Sequence, residues 1–374
     1  MEFVTGLDAL EKLIFNLHAL GYTVVGPKVV DGAVCLDEIS GIGDLAAGAV
    51  DIQAPGSYRL RGSSKSVFSA VNGPHSVKKF LHPACLPMLK LKEGEGGPRP
   101  ELTFHADRKY AFLGIRPCDL KAVDALDRAL IMPRYRDPVY APLRKASLMI
   151  VVNCGRAGEN CFCESMGTGP KADGGYDLGI TELPDRLLFD IPDGRMNLLE
   201  GVEMKPASQQ DLREELNLMQ RVKGEMHKAI ARRDPSDFVY GGSESRVWDE
   251  VAQVCLGCGN CAMVCPTCFC NTIQDVTDMK DGSVTRQRVW DVCLSKKFTY
   301  SAGGNPRADR KARYRQFVMH KFAYWPDQFS LYGCVGCGRC ITWCPVGIDI
   351  SETVNSVLRE QGSRRPLPEV VKVA

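Results

Sequence analysis

The chain of 374 residues contains no apolar run approaching the roughly 18 residues that a membrane-spanning helix needs. Its longest candidates, such as Ser147 to Val152, are strand-sized. Nor is there an excess of either charge: 47 Lys and Arg stand against 45 Asp and Glu, a net of +2. That balance removes the bulk electrostatic case for nucleic acid or an anionic lipid surface. No G-x-G-x-x-G fingerprint is present, so a dinucleotide has no glycine-rich cradle here. The opening MEFVTGLDALEKLIF carries acids where a secretion signal carries positive charge, and it lacks a small-residue cleavage site. Together these absences lead to the expectation of a soluble, cytoplasmic protein with no membrane and no nucleic-acid partner.

Cysteine is what the chain has instead. There are 17, an odd number, gathered in ligand-like runs and not at the even spacing of a disulfide framework. That usage implies a reducing compartment and metal chemistry. The densest runs are Cys255-Leu-Gly-Cys258-Gly-Asn-Cys261-Ala-Met-Val-Cys265-Pro266 and Cys334-Val-Gly-Cys337-Gly-Arg-Cys340-Ile-Thr-Trp-Cys344-Pro345. Both read C-x2-C-x2-C-x3-C-P, in which three thiolates hold irons of one cubane cluster and the fourth crosses to a second. This crossing rule assigns Cys255, Cys258, Cys261 and Cys344 to one [4Fe-4S] cluster, and Cys334, Cys337, Cys340 and Cys265 to the other. Gly257, Gly259, Gly336 and Gly338 let the backbone approach the sulfurs and offer N–H groups to them. Structural zinc is the competing reading of C-x2-C pairs, but it leaves the third cysteine and the C-P partner of each run unexplained.

Ahead of these runs, Leu7, Leu10, Leu13, Ile14 and Leu17 recur at helical spacing, and Gly21 closes an opening helix over about Gly6 to Leu20. Tyr22 to Val25, Lys28 to Val30 and Ala33 to Leu36 read as short strands punctuated by Gly26-Pro27 and Asp31-Gly32. Cys35, inside one of them, reads as a buried, inert thiol. From Asp51 to Pro83, Arg59, Arg61, Lys65, Lys78 and Lys79 mix with Tyr58, Phe68 and Phe80 without a period, which reads as a solvated face or a subunit contact. His75 and His82 lie here without partners at metal-ligand spacing and default to structural roles.

Tyr110 to Ile115 is strand-like, Pro117 to Leu130 helix-like, and Ser147 to Val152 strand-like again. Such a βαβ unit makes the two strands parallel and sets Cys118 and Cys154 at one carboxyl edge, where ligands of open α/β sheets collect. The glycine-rich loop CGRAGENCFC returns Cys161 and Cys163 to the same place. Four thiols near a helix N-terminus are a candidate third cluster site, with Asp119 as a candidate substitute ligand. Buried free thiols with a redox pair are the alternative that these residues leave open.

Residues 171–206 read as strands and turns, and Gln209 to Ala231 as a long, charged amphipathic helix. Ser243 or Ser245 can cap a helix that carries Val247, Trp248, Val251 and Val254 toward Cys255. Cys268, Cys270 and Cys293 exceed the needs of two cubanes and read as packing beside them. Arg307 to Lys321 concentrates Arg307, Arg310, Lys311, Arg313 and Arg315 on one helix, suited to offsetting anionic clusters, to meeting an acidic partner, or to plain solvation. The expected architecture is an α+β or α/β N-terminal domain over 1–206, a linking helix over 207–240, and a mainly α-helical, ferredoxin-like domain with two 4Fe-4S motifs over 241–374.

Several segments together carry a family resemblance: GIRPCDLKAVDALD (Gly114 to Asp127), NCGRAGENCFCESMGTGP (Asn153 to Pro170), CLGCGNCAMVCPTCFC (Cys255 to Cys270), RVWDVC (Arg288 to Cys293), and ARYRQ…HKF with CVGCGRCITWCPVGIDI (Ala312 to Ile350). APGSYRL (Ala54 to Leu60) and GPHSVKKFL (Gly73 to Leu81) fit the same pattern. The chain resembles the iron–sulfur beta subunit of cytosolic, NAD(P)-linked nickel–iron hydrogenases of the sulfhydrogenase type, and is similar to the A subunit of anaerobic sulfite reductase. The resemblance implies an electron-transfer subunit with no catalytic residues of its own. It implies two [4Fe-4S] clusters and favours a third on Cys118, Cys154, Cys161 and Cys163. Flavin and NAD(P) then belong to a diaphorase-type partner, and the other partners are the hydrogenase small and large subunits or a sulfite reductase catalytic subunit.

Two readings of other classes stand beside it. A cluster-based redox sensor calls for a DNA-binding element or an exposed, labile cluster, and the sequence has no helix-turn-helix text and no strongly basic domain. A self-contained enzyme would use Cys268, Cys270 or Cys293 as a redox dithiol, and turnover of a disulfide substrate by the isolated chain would reveal it.

Overall fold

The computed structural model describes residues 1–71, 73–92, 97, 99–103 and 107–364. Position 72 in the basic and aromatic stretch, and residues 365–374 at the end of the expected C-terminal domain, lie outside the described residues.

Short runs of Val, Ile and Leu build the main sheet, whose eight strands in spatial order are Lys205–Pro206, Glu2–Thr5, Leu187–Asp190, Leu178–Glu182, Leu148–Val152, Tyr110–Ile115, Thr23–Val30 and Ala33–Glu38. From Leu178–Glu182 through Thr23–Val30 the neighbours are parallel. The outer strands pair antiparallel. Leu148–Val152 is buried at every residue, as befits a central parallel strand covered on both faces. One face packs Leu10, Leu13 and Leu17 of the Ala9–Ala19 helix against Val24, Leu113, Ile150 and Phe189. The other packs Leu120, Val123 and Leu126 of the Pro117–Leu130 helix against Val25, Phe112 and Val151. Each aliphatic side chain buried in this way contributes about 1.5–3 kcal/mol relative to exposure.

The strand over Thr23–Val30 runs unbroken through Gly26-Pro27, where the sequence suggests a turn. Its parallel partner stops at Val25, so Pro27 has a strand on one side only and its missing N–H interrupts no ladder on the other. The charged helix is Gln209–Gly224, shorter than its sequence pattern, and starts in a reciprocal Ser208 and Asp211 capping box.

The C-terminal part carries two strands beside its helices, which the mainly helical expectation did not include. Asn271–Thr277 and Val284–Trp290 form an antiparallel hairpin that joins Cys85–Lys92 and Arg99–Leu102 in a four-stranded sheet. Valine and threonine recur along both hairpin strands, residues that suit a half-buried pleat. The helices of this region close around Trp248, Val318, Phe322, Val354 and Val357, and Phe162 from the N-terminal half enters the same core. Among the described residues no helix is long and apolar enough to cross a membrane.

Candidate metal centres

The two ferredoxin-like runs adopt matching local shapes. In each, the middle glycines take left-handed backbone conformations, Gly257 at φ +67 and Gly259 at φ +80, Gly336 at φ +62 and Gly338 at φ +74. Gly259 and Gly338 then open the short helices Asn260–Met263 and Arg339–Thr342, which carry Cys261 and Cys340 inward. The local turn is what C-x2-C-x2-C spacing needs if successive thiols are to face one point.

One cavity is lined by Cys255, Cys258, Cys261 and Cys344, with Leu294, Tyr314, Phe317 and Ile350 as apolar wall; Cys340, from the second run, also reaches it and so stands between the two cavities. A second is lined by Cys265, Cys334, Cys337 and Cys340, with Phe162, Val335 and Lys321. Cys344 therefore stands with the first run and Cys265 with the second. Backbone N–H groups reach two of the sulfurs: Gly257 donates to Cys255 Sγ at 3.4 Å and Ile348 to Cys344 Sγ at 3.3 Å. Burial pushes the Cys334 thiol up to about 12 and the Cys261 and Cys340 thiols well above their ordinary range. Bare thiolates are thus disfavoured at Cys261, Cys334 and Cys340, whereas at Cys265 burial is outweighed by Lys321, the Thr267 hydroxyl and Lys78, which lower its thiol. A bound metal that deprotonates its thiol ligands would supply the missing positive charge at the raised ones. Among the described residues, no three His, Cys, Asp or Glu side chains converge closely enough to hold a single metal ion. Soft sulfur donors spread around a dry, apolar-walled space fit an iron–sulfur cluster.

The third set is also brought together. Cys118 is the second residue of the Pro117–Leu130 helix, and Cys154 follows the neighbouring parallel strand. All of Cys118, Cys154, Cys161 and Cys163 are buried. Cys163 feels the charges of Cys161 and Cys154, and Cys118 that of Cys163. Burial pushes Cys161 up to about 12. A Cβ on Gly169 would lie 3.0 Å from Cys163 Sγ, so glycine is what lets that loop close over the sulfur. Cys118 and Cys163 also pack with Cys337 and Val335, which makes this set contiguous with the second run.

The junction is tight. The Phe162 N–H donates to the Gly336 carbonyl at 2.8 Å. A Cβ on Gly336 would sit 2.6 Å from the Phe162 carbonyl oxygen and 2.7 Å from Cys163 Cα, and one on Gly338 would sit 2.4 Å from the Asn160 carbonyl oxygen. Asp119, the candidate substitute ligand, faces Arg339 with both oxygens, at 2.8 and 3.0 Å.

Several buried cations went unrecognised in the sequence, among them Arg339, Lys321 and Lys78. Arg339 sits inside the second run as an ordinary spacer. Lys321 lies 5% exposed beside the second cavity, with Nζ donating to Thr267 Oγ1 at 3.1 Å and the Gly333 carbonyl at 3.2 Å. Burial works against its charge, but Cys265 and Cys268 pull its pKa upward. A signal existed: Tyr314, Phe317, Val318, Lys321 and Phe322 form one apolar helical stripe with a lysine in it. Lys321 also lies in the π-helical turn His320–Tyr324, a local distortion often met at functional sites. Lys78 is buried as well, donating to the Met263 carbonyl at 3.0 Å over the face of Trp290, which corrects its reading as part of a solvated face. Arg59, Arg61 and Lys65 from that stretch are exposed.

Cys268, Cys270 and Cys293 stand at the base of the hairpin, where the Asp291 N–H donates to the Cys270 carbonyl at 3.2 Å. A hydrogen bond from the Cys270 thiol, with Lys78 and Lys321 close by, pulls Cys268 below its ordinary range and pushes Cys270 up. Cys35 is buried in its strand, and His82 is fully buried against Trp290. His75 borders a small cavity with Cys35, Asp119 and Arg339.

Residues 254–348 match the family model of the 4Fe-4S dicluster domain. Over 284 residues the chain is 31% identical to sulfhydrogenase 2 subunit beta of Pyrococcus furiosus, an alignment covering 75% of this chain and 82% of that protein. No solved structure matches the chain.

Proposed function

The chain belongs to the iron–sulfur beta subunits of sulfhydrogenases, and on that footing we propose that it relays electrons between a flavin- and NAD(P)-binding subunit and the catalytic small and large subunits of a soluble, cytoplasmic nickel–iron hydrogenase. Cys255, Cys258, Cys261 and Cys344 hold one [4Fe-4S] cluster, and Cys334, Cys337, Cys340 and Cys265 a second. Cys118, Cys154, Cys161 and Cys163 hold a third. Flavin and NAD(P) are left to the partner. When bound, such clusters supply reversible one-electron storage.

The observation that carries this reading is that the eight thiols line two adjoining cavities, with Cys344 reaching only the cavity of the first run, Cys265 only that of the second, and Cys340 on the wall of both. This chain's own residues insulate those cavities. Tyr314, Phe317 and Ile350 exclude water from the first, and Phe162 and Val335 from the second. The contact of Cys118 and Cys163 with Cys337 supports placing the third cluster next to the second, so that the sites form one row.

Anaerobic purification with iron and sulfide analysis and EPR tests the proposal. About 12 irons per chain are expected, and Cys161→Ser with Cys163→Ser should leave about 8. Colourless protein with zinc or with bridged cysteines overturns it.

A further inference from the structure

Of the proposed ligands, Cys258 is the exposed one. It does not surface among polar residues. Val254 is 54% exposed, Leu256 59% and Val346 41%, and Leu256, Pro345 and Val346 share the mouth of the first cavity with Cys258. Isolated exposed aliphatics are ordinary, but several of them gathered around an exposed proposed ligand make a patch, and such patches mark interaction sites.

The rim of the patch is basic. Arg310 donates to the Cys255 carbonyl at 2.7 Å and lies alongside Gly257. Lys296 and Lys297 are exposed and follow Leu294, which lines the same cavity. No ion pair involves Lys296, Lys297 or Arg310 among the described residues. Of the acids on the adjoining Val247–Val254 helix, Asp249 is already paired with Lys311 at 2.9 Å, and Glu250 is exposed. The basic stretch from Arg307 onward thus has a place in the fold: its Arg310 end borders Cys255 and Gly257, next in sequence to the exposed Cys258.

We infer that this patch is the docking surface for an acidic electron-carrier protein, one presenting an apolar centre ringed by carboxylates. The inference rests on the proposed function and adds to that relay a point of entry for a soluble carrier. The apolar centre excludes water between the two redox groups, and the basic rim steers the encounter. One electron crosses, from the partner's reduced centre to the first cluster, and no bond is made or broken. Complexes of this kind are transient and need only a small interface.

Stopped-flow mixing of the oxidised holoprotein with a reduced, acidic two-cluster ferredoxin as probe tests the inference. Electron transfer is expected to slow about tenfold or more as salt rises from about 50 to about 500 mM. Lys296→Glu with Lys297→Glu, both at exposed positions, should slow it comparably at low salt and abolish the salt dependence. Val254→Glu should slow it at all salt concentrations. Reduction of each variant by methyl viologen radical, which needs no docking surface, should match the parent protein. Unchanged ferredoxin rates in the lysine variant, or a rate that rises with salt, would overturn the inference while leaving the relay function intact. Loss of the cluster EPR signals in the parent protein would instead sink the proposed function itself.

Discussion

Arg339 and Asp119, separated by 220 residues, form a buried ion pair in which Nη2 donates to Oδ2 at 3.0 Å and Nη1 lies 2.8 Å from Oδ1. The Arg339 Nε also donates to the Gly73 carbonyl at 2.8 Å. Since Arg339 adjoins Cys340 and Asp119 adjoins Cys118, the pair clamps the second run onto the edge of the main sheet. Removing one partner leaves an uncompensated buried charge. Arg339→Met should cost about 3–5 kcal/mol, and Arg339→Met with Asp119→Leu should recover part of it, read as thermal midpoints.

Gly336 is where the backbone of the second run presses on the Cys161–Cys163 loop. Gly336→Ala must place a Cβ against the Phe162 carbonyl in a left-handed conformation that disfavours any L side chain by about 1–2 kcal/mol even without the clash. Iron should be lost from the second and third sites together, down to about 4 per chain, because one displacement disturbs both. Retention of about 12 irons would show that the contact is not required.

Lys321 holds a positive charge against Cys265 and Cys334. A buried cation stabilises the more negative, reduced state of an adjacent cluster. Lys321→Met, close in volume, should lower the midpoint potential of one of the EPR-detected clusters while iron content stays at the parental value. Redox titration monitored by EPR reads both, and an unmoved potential would refute the electrostatic role.

His82 is fully buried, and burial, with Arg288 and Lys78 nearby, lowers its pKa from 6.5 to about 4. The folded state therefore binds fewer protons than the unfolded chain in this range. The stability present above about pH 6.5 should fall as pH drops toward about 4, by at most roughly 3 kcal/mol. His82→Phe, which can keep the stack on Trp290, should show a smaller drop in thermal midpoint between pH 7 and pH 5 than the parent protein.

The cysteine runs were legible because iron–sulfur ligation writes itself into local spacing: C-x2-C-x2-C is a demand on a few consecutive residues. Strand, helix and strand over Tyr110 to Val152 were legible for a similar reason, since periodicity and a first-turn proline are local signals. Less visible was the four-stranded sheet, whose hairpin pairs Val284–Trp290 with a strand nearly 200 residues earlier, at Cys85–Lys92. The continuous strand through Gly26-Pro27 also escaped, because the tolerance for proline there depends on which side lacks a neighbour.

Chain order alone determined which residues carry sulfur and how closely they follow one another. Tertiary structure decided what surrounds them: Lys321 against Cys265, Arg339 against Asp119, Phe162 seated in the C-terminal core, and Cys258 open at an apolar surface. The division has a physical cause. Ligand spacing is a short-range constraint on backbone turns, whereas the charge, dryness and exposure around each thiol are set by segments that become neighbours only when the whole chain has folded.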